Sequence, residues 1–178
     1  SFTGGNVLMV RPDRTSELHP LPDEHTLINT IYEDPAGRLW FGGTQGLSRF
    51  TNARFVTVPQ SRLPGYAVFS VVEDDHRNLW IGGALGILRM SEAQFDAAAR
   101  RADHQPQYEL YDASDGLAGM PVWFGAPGAV EAGGQLFFVT TGGVTQIDPA
   151  RRDARAAVPR VQLDSVVANG RPVSLAGV

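Results

Sequence analysis

Two acidic groups are the first candidates for chemistry, Glu33-Asp34 and Glu73-Asp74-Asp75. Neighbouring carboxylates can act as a general acid and base, or converge on a hard cation. Each group sits just before a tight turn, in stretches that resemble one another. Catalysis does not need one pair per repeat, so the residues favour turn chemistry, in which a short acidic side chain bonds its own backbone. The four histidines, His19, His25, His76 and His104, have neither metal-ligand spacing nor a motif around them, and read as surface residues. No Gly-x-Ser-x-Gly, phosphate loop or dinucleotide fingerprint occurs, and Thr3-Gly4-Gly5-Asn6 is too short for any of them. There is no cysteine, which excludes disulfides and thiolate nucleophiles or ligands and leaves the redox compartment open. The residues call for no cofactor, no metal and no catalytic group.

The elements that position these residues are repeated. Glu33-Asp34-Pro35-Ala36-Gly37-Arg38-Leu39-Trp40-Phe41-Gly42-Gly43-Thr44-Gln45-Gly46-Leu47-Ser48-Arg49-Phe50 aligns without a gap on Glu73 to Met90, so that Trp40 and Trp80 stand 40 residues apart. A weaker third copy runs from Glu131 to Val144, with Phe137 in the tryptophan position and one residue fewer in the turn. A period of this length points to an array architecture. The strand signals agree. Leu27–Tyr32, Arg38–Gly42, Leu47–Phe50 and Phe55–Val58 are short β-rich runs separated by turn residues, the layout of one four-stranded propeller blade.

The reading is therefore all-β: a partial propeller of about three and a half blades over residues 1–149, with units at about 1–24, 25–65, 66–117 and 118–149. Val7–Val10 and Glu17–Leu21 supply the last two strands of the first unit, whose opening implies further chain upstream. Ser91-Glu92-Ala93-Gln94 is a capping box before the helix formers Phe95 to Ala102, so a short helix interrupts the third unit; Trp80 and Phe137 are 57 residues apart in consequence. Residues 150–157 read as a linker. From 158 to 178 the pattern changes to a β-hairpin, with Val161, Leu163 and Val166-Val167 in one strand, Asn169-Gly170 at the turn and Val173 opening the next.

Within a blade, Trp40, Trp80 and Phe137 put large apolar surfaces on a stacking face, worth a few kcal/mol each when buried. Gly43, Gly46, Gly83, Gly86 and Gly143 suit close backbone approach or positive φ. The pattern Glu-Asp, turn, Leu-Trp-(Phe/Ile)-Gly-Gly, then Gly-(Leu/Ile)-x-Arg-(Phe/Met) resembles the two-component regulator propeller repeat of bacterial sensor proteins. The tail, with Leu163-Asp164-Ser165-Val166 and Asn169-Gly170-Arg171-Pro172-Val173, is similar to the start of the immunoglobulin-like domain that follows the last blade in that family. The resemblance implies a non-catalytic, periplasmic sensor region of an inner-membrane receptor, with a histidine kinase or diguanylate cyclase as output and in some members an oligosaccharide signal.

Competing readings are a propeller lyase of the streptogramin-inactivating kind, which needs a catalytic histidine and Mg²⁺, and a cytosolic scaffold. A sialidase aspartate box fits less well, because the Asp-to-Trp spacing is too long. Net charge is −4 and the only basic doublets are Arg100-Arg101 and Arg151-Arg152, which gives no footprint for nucleic acid. No apolar run reaches the length of a membrane span, so this stretch makes no membrane contact of its own. Tyr66, Tyr108, Tyr111 and Trp123 lie near unit boundaries and favour core packing; if sugar binds, Trp123 and Tyr66 are the first candidates for stacking on a ring. Too few blades are present to close a usual ring, so the open blade faces are expected to drive self-association.

Overall fold

The computed structural model describes residues 6–21, 27–65, 67–123, 127–151, 166–168 and 171–173. Strands β1 (Asn6–Val10) and β2 (Ser16–Pro20) form a hairpin. Two four-stranded antiparallel blades follow, β3 (Ile28–Glu33), β4 (Leu39–Gly43), β5 (Gly46–Thr51), β6 (Arg54–Pro59), then β7 (Val68–Glu73), β8 (Asn78–Gly83), β9 (Gly86–Ser91), β10 (Glu109–Tyr111). Helix α1 (Glu92–Arg100) is inserted between β9 and β10. A three-stranded sheet, β11 (Ala129–Ala132), β12 (Gln135–Thr140), β13 (Gly143–Ile147), comes next, and a separate hairpin pairs β14 (Val166–Ala168) with β15 (Arg171–Val173). The hairpin lies where the tail pattern placed one; Val161, Leu163 and the Asn169-Gly170 turn fall outside the described residues.

The sequence period is a structural period. Tyr32, Trp40 and Arg49 stand side by side in one blade as Val72, Trp80 and Arg89 do in the next, and the first strand of each has its pairing irregularity at the same place, between Ile28 and Thr30 and between Val68 and Ser70. The two-residue turns Thr44-Gln45 and Ala84-Leu85 close on the pairs Gly43–Gly46 and Gly83–Gly86. Gly46 has φ +116°, and a Cβ there would sit 2.3 Å from the Val58 carbonyl oxygen, so both backbone angle and space require glycine. Gly42 is needed for room alone: a Cβ would fall 2.3 Å from Cγ1 of Val68 in the next blade.

Alternation along each second strand sends side chains to opposite neighbours. Trp40 packs forward with Leu79, Ile81, Leu88 and Met90 of the next blade, while Trp80 packs forward with Leu136 and Phe138 of the three-stranded sheet. Phe137 has the tryptophan register, opposite Val130 and Gln146, but it faces away from the second cluster and is only half-buried. Val130, Val139 and Val144 are exposed beside it.

Helix α1 closes the first junction. Phe95 is fully buried, edge-on to Trp40 at 4.8 Å between ring centroids, and Ala98 is buried beneath it. Ser91 caps the helix by accepting from the Gln94 amide at 3.3 Å. The second half of the expected capping box does not form: the Gln94 side-chain oxygen is taken by His104 Nε2 at 2.9 Å and by the Gln107 amide at 3.0 Å, which ties down the return loop instead. At the other end Arg62 donates to the Ala98 and Arg101 carbonyls. Phe95→Ala is expected to cost about 3–5 kcal/mol by chemical denaturation, because it empties the space over Trp40.

Candidate functional site

The two acidic groups divide by role. Glu33 is exposed, while Asp34 and Asp74 are almost fully buried. Asp34 Oδ1 accepts from the Ala36 and Arg38 amides, forming the turn, and Oδ2 accepts from the Trp40 indole at 2.8 Å and from Arg38 Nε at 2.6 Å. Asp74 repeats this with the His76 and Asn78 amides, the Asn78 side chain and the Trp80 indole at 2.8 Å. Burial by itself raises both carboxyls; the indole, Arg38, Asn78 and backbone donors outweigh it and hold both below the usual aspartate value. The arginine of the repeat completes the unit: Arg49 lies 5.2 Å over the Trp40 ring and Arg89 5.3 Å over the Trp80 ring.

A second charged constellation spans the first junction. Glu92, at the start of α1, accepts from Arg38, Arg49 and Arg77, with Arg49 Nη1 at 2.6 Å, and Asp96 takes the other Arg49 nitrogen at 2.7 Å. These arginines come from both blades, so the helix grips the two sheets by charge as well as by Phe95. Among the described residues, no group of three or more His, Asp or Glu side chains is arranged to hold a metal ion.

Of the residues proposed for the repeat, Trp40, Trp80, Gly43, Gly46 and Gly86 are buried in the blade junctions, Gly83 is partly buried, and Gly143 is an exposed turn glycine at φ +123°. Trp123 is 54% exposed, and Tyr108 is exposed too, where core packing had been expected. Trp123 follows the bridge that pairs Pro121 with Thr140 at the end of β12. Tyr111 is half-buried and stacks on Trp80 at 5.4 Å. Tyr66 lies outside the described residues. Next to it in sequence, Leu63, Pro64, Val68, Ile81, Leu85 and Leu110 line a small apolar cleft between the two four-stranded blades. His19 is not a surface residue either: it is mostly buried, with its ring edge-on to Phe50 at 4.8 Å. Sequence reasoning missed the indole acceptors, although the equal six-residue Asp-to-Trp spacing in both copies carried the signal.

Residues 22–45 match the family model of the two component regulator propeller. The match covers the first full copy of the repeated stretch up to Gln45. In overall structure it is similar to the extracellular domain assigned to a hybrid two component system, BT3049, from B. thetaiotaomicron, at 18% identity and a TM-score of 0.68 over 98% of this chain and 24% of that one. It is also similar to the extracellular domain assigned to a one component system, BT4673, from the same organism, at 19% identity and a TM-score of 0.59 over 78% of this chain and 20% of that one. The chain thus spans about a quarter or less of either. A virginiamycin B lyase from Staphylococcus aureus aligns at 18% identity over 86% of this chain and 52% of that one, with a TM-score of 0.48. No curated protein matches.

In both copies of the repeated stretch, then, the acid and the tryptophan serve each other. Asp74→Ala is expected to destabilise by about 3 kcal/mol, since it strands the buried Trp80 N–H and unlinks the turn. With Trp80→Phe already in place the same change should cost about 1 kcal/mol less, and strict additivity in that double-mutant cycle would contradict the pairing.

Proposed function

We propose that this chain is part of an extracytoplasmic sensing region of a bacterial two-component or cyclic-di-GMP receptor, with a ligand-binding rather than a catalytic task. The observation that carries the reading is the likeness in fold, over 98% of the chain, to an extracellular domain assigned to a hybrid two component system. The repeat match at residues 22–45 supports the same reading. The chemistry supports it too. Asp34, Asp74, Trp40 and Trp80, the most conspicuous candidates for a catalytic site, are engaged in holding blades together. Recognition falls to the loops between strands, with Trp123, 54% exposed, as the first candidate contact for an oligosaccharide.

The surroundings follow. The receptor places this region in the periplasm, and β14–β15 opens an immunoglobulin-like domain. The apolar faces bearing Leu8, Val10 and Leu18 at one end and Phe137, Val139 and Val144 at the other are self-association surfaces for blades. Two arms test the reading. Alkaline phosphatase inserted into the full-length receptor at the exposed Gly133-Gly134 turn is expected to be active in intact cells, and an inactive insertion in a folded receptor contradicts the location. Trp123→Ala is expected to weaken binding of a screened oligosaccharide at least about tenfold, equivalent to ~1.4 kcal/mol; unchanged affinity removes Trp123 from the contact.

A further inference from the structure

We propose that Glu73 is a proton-binding site that sets how firmly helix α1 clasps the two four-stranded blades, so that their junction responds to acidity. Glu73 ends β7, and its side chain is only 6% exposed. Among the described residues its Oε2 has no hydrogen-bond partner. A buried carboxylate in that condition is costly when ionised.

Two guanidiniums are close but already committed. Arg38 Nη2 is 3.7 Å from Glu73 Oε2, yet Arg38 holds Asp34 through Nε and Glu92 through both terminal nitrogens. Arg77 Nε is 3.9 Å from Glu73 Oε1, and its Nη2 donates to Glu92. The groups facing Glu73 are therefore Asp34 and Arg38 from the β3–β4 turn, Tyr32 from β3, Arg77 from its own turn, and Glu92 from α1, behind which stand Arg49 and Asp96. Neighbouring Asp74 is saturated by Trp80, Asn78 and the turn amides. Burial, with the like charges of Asp34 and Glu92, raises the Glu73 carboxyl above its ordinary value, against the pull of Arg38 and Arg77.

Ionised, Glu73 competes with Glu92 for Arg38 and Arg77 and repels both Glu92 and Asp34. Protonated, it leaves those arginines to Glu92, through which α1 grips the β3–β4 turn and β5. The sign follows from linkage. A carboxyl whose folded value is raised gives a contribution to stability that is full below the unfolded glutamate value and lost as the pH rises through the folded one. Asp34 and Asp74, held low, behave oppositely and lose their contribution as the pH falls. The difference between the protein and Glu73→Gln isolates the proposed group.

Thermal unfolding of both proteins from about pH 4 to 8 is the test. Glu73→Gln is expected to melt higher than the parent by roughly 2–4 °C at the upper end and equally at the lower end. A difference that is constant with pH, or a lower Tm for Glu73→Gln at the upper end, overturns the proposal. Should that variant not fold, carboxyl ¹³C titration of Glu73 in the parent decides, with a midpoint above the ordinary glutamate value expected and one at or below it contradictory. Hydrogen-exchange protection of α1 amides in the parent is expected to rise severalfold as Glu73 takes its proton. Protection that does not follow the titration would refute the coupling to the clasp.

Discussion

A tryptophan buried between two sheets must find an acceptor for its indole N–H, and in this fold that need is met by one aspartate per blade. The carboxylate is supplied from the turn that precedes the tryptophan's own strand. One oxygen organises the turn by accepting two backbone amides, and the other reaches the indole at 2.8 Å in both blades. A single ionised group thereby shapes the hairpin, satisfies the largest buried side chain and fixes the ring against the next blade. The three-stranded sheet shows the dependence by omission. Phe137 replaces the tryptophan, and Ala132, paired with Gln135, stands where the aspartate would be. Ala132 is exposed and the Phe137 ring has no N–H to satisfy, so donor and acceptor are lost together.

Among the described residues, the junction between the two four-stranded blades holds the larger apolar cluster. Trp40, Leu79, Ile81 and Phe95 fill it, and Glu92 draws in Arg38, Arg49 and Arg77 at its rim. Exposed ion pairs contribute little, and Arg77 is exposed, but Glu92, Arg38 and Arg49 are largely shielded and share partners, which makes removal of one of these three more damaging than the net worth of any pair. The inserted helix is thus part of the blade stack rather than an ornament on it. Among the described residues, the second junction shows no such clasp and is built on Trp80, Leu136 and Phe138.

Much of this was legible in the residues. The 40-residue period, the short strands, the two-residue turns between glycines and the helix cap all follow from local pattern, and local pattern is what a single sequence displays. The buried state of Asp34 and Asp74 was not read, because an aspartate before a turn looks the same whether its second oxygen meets water or an indole. Glu92 gave no sign at all, since its partners at positions 38, 49 and 77 are gathered only by blade stacking. His19, expected at the surface, is mostly buried, while Trp123 and Tyr108, expected in the core, are exposed, because the neighbouring sheet and not the residue type decides what is covered. Gln94 was placed by a correct motif and then claimed by His104 and Gln107, partners ten or more residues away.

The conspicuous residues of the repeated stretch are therefore structural, with Asp34 and Trp40 in one blade and Asp74 and Trp80 in the next holding the stack. The pairs themselves can be observed directly through hydrogen exchange of the Trp40 and Trp80 indole N–H groups in ¹⁵N-labelled protein. Both are expected to exchange only through global unfolding, with rates that rise with denaturant as those of the core strands do. Fast exchange of either indole, insensitive to denaturant, would contradict the account.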